Sequence, residues 1–105
     1  MTHPDPQAER LRALLLDQAN ERFPAVAKTD PGYPVRFNHC FLRIVYDNLF
    51  GAHWQRVLPE GQRPAYRHLS REQLARAVAL GEEIIADPAR CRELNRRSLA
   101  WRGKL

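Results

Sequence analysis

At 105 residues the chain is too short for two hydrophobic cores, so residues 1–105 are expected to form a single domain. No run of about eighteen apolar residues occurs, which leaves no candidate membrane helix, and the opening MTHPDPQAER lacks the basic-then-apolar order of a secretory leader. Two cysteines, Cys40 and Cys91, are too few for a disulfide framework and fit a cytoplasmic protein with free thiols.

The net charge of +5 is local rather than global. Residues 88–105 carry Arg90, Arg92, Arg96, Arg97, Arg102 and Lys104 against Glu93 alone, while residues 1–87 balance at 11 basic and 11 acidic side chains. Clustered charge makes a directional field, which evenly spread charge does not. Arginine outnumbers lysine fifteen to two. That suits forked contacts with phosphate or carboxylate, and a GC-rich genome produces the same bias.

Taken in chain order, the helix signals are legible. Asp5-Pro6 supplies an N-cap followed by proline at the first helical position. Leu11, Leu14, Leu15 and Ala19 then recur at helical spacing, which predicts a helix over 6–22 that stops before Phe23-Pro24. Residues 24–36 hold Pro24, Pro31, Gly32 and Pro34 and read as a loop with a turn at Asp30-Pro31-Gly32. A second helix is expected over 38–57, with Gly51 as a point of kinking or splitting. PEGQRPAYRHL (59–69) reads as a second loop. Ser70 and Gln73 form a capping box, and Leu69 with Leu74 has the spacing of a hydrophobic staple, so a third helix covers 71–86. Its inner stripe is Leu74, Ala77, Val78, Gly81 and Ile85. Asp87-Pro88 repeats the cap-plus-proline signal and opens a fourth helix over 88–102. FLRIVY has β-prone residues but sits inside a helical pattern. The fold class is therefore all-α, a bundle of about four helices.

The function classes narrow without resolving to one. There is no glycine-rich phosphate loop and no nucleophile elbow, so neither a cofactor nor a nucleophilic site is expected from motifs. Metal binding is not expected either: His39 and His53 lie fourteen residues apart, Cys40 points about 100° away from His39, and no paired short ligand spacing is present. A helix-turn-helix over 71–97 fails its register. Counting four residues on from Ala75 gives Ala79 rather than glycine, and counting back from Gly81 puts Asp87 at an apolar position.

Two sites remain. On the fourth helix, Arg92, Arg96 and Arg97 share an outer face, with Arg90 and Arg102 near its ends, while Cys91, Leu94 and Trp101 face inward. That arrangement makes the leading reading an interaction module that binds an acidic partner, nucleic acid or protein, without sequence readout. The alternative is a small-molecule-binding protein or small enzyme on the second helix. There His39, Arg43, Tyr46, Asp47, Phe50, His53 and Trp54 fall within an arc of roughly 120° opposite Phe41, Ile44, Val45 and Leu49. Arg43 would hold an anion, Asp47 orient an imidazole, and a histidine serve as acid or base. Aromatics on both faces of that helix also raise the expectation of a homodimer.

Overall fold

The computed structural model describes residues 5–105; the first four residues of the expected 1–105 domain lie outside the described ones. Asp5 opens the first helix as its sequence requires. Its carboxylate accepts from the backbone N–H groups of Gln7 (3.0 Å) and Ala8 (3.2 Å), and α1 runs over Pro6–Asp17.

The chain does not stop at Phe23-Pro24. Pro24 has no N–H to give to Asn20, and in a regular α-helix its ring would press on that carbonyl. The helix instead widens into one π turn over Gln18–Arg22, where the Phe23 N–H bonds the Gln18 carbonyl, and resumes as α2 over Phe23–Thr29 with Pro24 in its first turn. The expected helix 6–22 thus extends seven residues further, and the expected loop 24–36 begins only at Asp30. Burial is what makes the detour favourable. Ala19, Phe23 and Ala27 form one inward stripe, and Phe23 packs edge-on against Tyr33 (5.6 Å) and tilted against Phe41 (5.1 Å).

Helix α3 covers Asn38–Phe50 and ends at Gly51, whose φ of +65° is left-handed backbone that glycine tolerates best. The N–H groups of Gly51 and Ala52 both return to the Asp47 carbonyl. The expected helix 38–57 is therefore split, with a single turn, α4, over Trp54–Val57. Two short 3₁₀ turns, Glu60–Gln62 and Ala65–Arg67, follow, and buried Ala65 and Leu69 anchor this segment.

The capping box is present in full at the start of α5 (Arg71–Ala86), and the Asp87 carboxylate caps α6 (Pro88–Trp101) by accepting from the Ala89 N–H at 2.9 Å. The inner stripe of α5 is Leu74, Ala77, Gly81 and Ile84, with Val78 and Ile85 at its edges. At Gly81 the buried Gln18 amide occupies the space that an added Cβ would take, so glycine here lets that side chain pack against α5.

Helix α5 lies against α1 and the π turn on one side and against α3 and α6 on the other; α3 also packs on α6. Among the described residues there is no strand. The architecture is all-α, as the sequence pattern indicates. Among the described residues no helix is long and apolar enough to cross a membrane.

Candidate functional site

Asp47 organises one end of the bundle. Its side chain is fully buried and accepts four hydrogen bonds: from the Trp54 backbone N–H (3.0 Å), the Ser98 hydroxyl (2.6 Å), and Nε (2.6 Å) and Nη2 (3.1 Å) of Arg102. One carboxylate thereby fixes the α3–α4 turn and ties the end of α6 to α3. The Ser98 hydroxyl in turn accepts from Nη1 of Arg43 at 2.7 Å, and the Asn95 amide oxygen accepts from Arg43 Nη2 at 2.8 Å. Asp47 does not bond Arg43 in the i,i+4 manner and does not orient a histidine. It serves Arg102, from the far end of the chain.

Above this network is a pocket of about 380 Å³. Leu42, Arg43 and Tyr46 of α3 form one side, Trp54 and Gln55 of α4 another, and the 64–66 segment the third, with His39 and Arg102 completing the lining. The walls are held from behind. Tyr46 meets Trp54 edge-on at 5.3 Å, and the Arg63 guanidinium covers the Trp54 ring at 5.5 Å. Arg12 of α1 donates from Nε to the Tyr66 carbonyl at 2.9 Å, which fastens the loop wall to the bundle. His39 is exposed at the rim and stacks on exposed Phe37, ring centres 5.7 Å apart.

Two features of the pocket's chemistry stand out. Tyr46 is 4% exposed, and its hydroxyl, which solvent does not reach, makes no hydrogen bond of good geometry among the described residues. Burial, with the neighbouring Tyr66 phenol, pushes its pKa well above the usual tyrosine value, against the opposing effect of the adjacent Tyr66 backbone, so the hydroxyl keeps its proton. An orphaned hydroxyl of this kind costs about 1–3 kcal/mol in a native interior. The second feature is charge. Among the described residues no carboxylate lines the pocket. Arg43, half-buried, has only neutral acceptors as its direct partners, and burial together with nearby Arg102 lowers its pKa. It remains a cation, because arginine starts too high to lose its proton.

The structure thus gathers His39, Arg43, Tyr46 and Trp54 of the second-helix candidates around one cavity and separates the others. Asp47 lies beneath it, and His53 sits in the turn before α4 with its Nε2 3.1 Å from the Gln55 amide oxygen. Sequence reasoning missed the 64–66 wall and the supporting pair Asn95 and Ser98. Tyr66 between prolines and a basic residue was the available signal for the wall.

The arginine face of α6 is partly neutralised. Arg90 pairs with Glu83 (3.3 Å) and Glu93 (3.1 Å), and Arg97 with Glu93 (2.7 Å). Arg92 donates to the Gly32 carbonyl at 2.7 Å. Arg102 is only 17% exposed and faces inward to Asp47, because it follows Ser98 by one helical turn on the packed side of α6. Arg96 is exposed, with no acidic partner among the described residues. Among those residues there is also no group of three or more His, Cys, Asp or Glu that could hold a metal ion.

In comparisons with known proteins, no family model, no curated protein and no solved structure matches the chain. Fold and site together define it as a small all-α protein with an aromatic, arginine-bearing pocket at one end of its bundle.

Proposed function

We propose that the protein binds a small organic molecule in the pocket between α3, α4 and the 64–66 segment. The observation that carries this reading is an aromatic-walled, largely apolar cavity with the half-buried Arg43 guanidinium in its lining, bonded within the described residues only to the neutral Ser98 and Asn95. An apolar ligand body with a polar or anionic group would use both features. A cavity of this size lies at the small end of the range for ligand pockets, roughly 300–1,000 Å³. We place this activity in the cytoplasm, where the free thiols of Cys40 and Cys91 suit a reducing setting.

Ligand-observed NMR with a collection of one- and two-ring aromatic carboxylates, amides, phosphates and amines tests the reading. Some of these compounds should bind, and Gln55→Trp, which fills the pocket from an exposed position, should abolish their binding while leaving the circular dichroism spectrum unchanged. Binding by none of them, or equal binding to the filled variant, would refute the proposal.

A second reading, an acidic partner held against α6, is favoured by exposed Arg92 and Arg96 on one face. It ranks lower because Glu83 and Glu93 offset Arg90 and Arg97. Salt-titrated binding to nucleic acid by the wild type and an Arg92/Arg96/Arg97→Gln variant tests it; no difference between the two would eliminate it. A homodimer through α3 is not part of either reading, since Phe50 and Trp54 pack against the chain's own core.

A further inference from the structure

The chemistry of the pocket can be carried from a ligand to a ligand class. Three charged groups define its polar end: the guanidiniums of Arg43 and Arg102, and the Asp47 carboxylate beneath them. Arg102 spends Nε and Nη2 on Asp47, so those two charges offset each other at close range. Arg43 is left with Ser98 and Asn95, both neutral. The polar end therefore carries one uncompensated positive charge in a half-buried setting, where a charge is less screened than in water. Beyond it, the walls are Leu42, Tyr46, Trp54, Ala65 and Tyr66, which suit a flat apolar body.

Of the five N–H donors on Arg43, two are in use among the described residues, which leaves three. A planar carboxylate with two acceptor oxygens can take two of them side by side. A phosphate monoester brings close to two negative charges at neutral pH, more than the Arg43 guanidinium alone offsets. A neutral amide offers one acceptor oxygen and leaves Arg43 uncompensated.

Building on the small-molecule reading above, we infer that the pocket selects an aromatic monocarboxylic acid of one or two rings, its carboxylate on the Arg43 guanidinium and its ring against Trp54 and Tyr66. Charge number, donor count and wall chemistry agree on this class.

Calorimetry on the wild-type protein with matched probes tests the inference. The probes are phenylacetate and phenylacetamide, indole-3-acetate and indole-3-acetamide, and phenyl phosphate as the more highly charged member. Each acid should bind at least tenfold more tightly than its amide, and phenyl phosphate more weakly than phenylacetate. Arg43→Gln should bring acid and amide to within about twofold of each other while leaving the amide's own affinity in place. Arg43→Lys, which keeps the charge but loses the paired planar donors, should weaken the acids several-fold and provides a second variant should Arg43→Gln not fold. Amides binding as tightly as acids, or phenyl phosphate binding best, would overturn the carboxylate inference while leaving the small-molecule reading intact. Binding of none of the five would overturn both.

Discussion

Replacing Asp47 with alanine should be among the most damaging single changes in the chain. The carboxylate is fully buried and receives four hydrogen bonds, two of them from the Arg102 guanidinium, itself only 17% exposed. Its loss leaves the Trp54 N–H and the Ser98 hydroxyl without their acceptor. It also leaves Arg102 and Arg43 as two neighbouring cations with no anion between them. Breaking a buried pair from one side costs about 3–5 kcal/mol, because the remaining charge stays desolvated. Against a total stability of roughly 5–15 kcal/mol for a domain of this kind, that is about a fifth or more. At roughly 4–8 °C per kcal/mol for a chain of about this length, the melting temperature should fall by at least ~12 °C. Urea titration followed by circular dichroism reads the change in midpoint at constant slope. The double variant Asp47→Ala/Arg102→Met should cost clearly less than the two single changes added together, since it removes both ends of the pair. A loss below about 1 kcal/mol for Asp47→Ala, the usual worth of a surface ion pair, would refute the assignment of a buried anchor.

Gly81→Ala gains up to about 1 kcal/mol of helix propensity on an isolated helix, yet here it should destabilise by about 1–3 kcal/mol, since its methyl would overlap buried Gln18; urea midpoints decide the sign. Cys91 should resist alkylation in the native protein, because burial pushes its thiol up to about 11 and leaves almost no thiolate at neutral pH; mass spectrometry after a timed iodoacetamide pulse would show it modified only on unfolding. Glu82 is held below the usual carboxylate range by hydrogen bonds from Arg22 and then Gln18. A carboxylate with a depressed folded pKa contributes stability that is present above its unfolded pKa and is lost as the pH falls through the folded value. Glu82→Gln should therefore be less stable than the wild type at pH 7, with the gap closing in acid. The pair is about half exposed on both sides, so the gap should stay within about 1 kcal/mol.

The caps were legible because they are local: Asp5, Ser70 with Gln73, and Asp87 each act on N–H groups two or three residues away, and sequence order alone places them. The end of the first helix was not. The cost of Pro24 depends on whether a π turn lets Phe23 and Ala27 reach the core, and that gain comes from Tyr33 and Phe41, which sequence spacing does not bring near. Gly51 marked the break in the second helix, but which of a kink or a split it makes follows from Asp47 holding the Trp54 N–H. The polar face of α3 was visible as an odd mixture of rings and charges. Its wiring was not, because the side-chain partners of Arg43 and Asp47 lie more than fifty residues away, on α6 and at its C-terminal cap. Arg102 shows how this misleads: counted with a cluster of arginines it belongs to a basic face, whereas one helical turn beyond buried Ser98 it belongs to the interior.

The claim that this end of the bundle is a binding pocket is tested most directly at its wall. The protein has two tryptophans, Trp54 lining the pocket and Trp101 at the end of α6 outside it. In a ¹H–¹⁵N correlation spectrum each gives one indole N–H signal, and a titration with indole-3-acetate can follow both at once. The Trp54 signal should move along a saturating curve, and Trp101 should stay nearly still. No movement of Trp54, or a parallel, unsaturating drift of both signals, would contradict a ligand site between α3, α4 and the 64–66 segment.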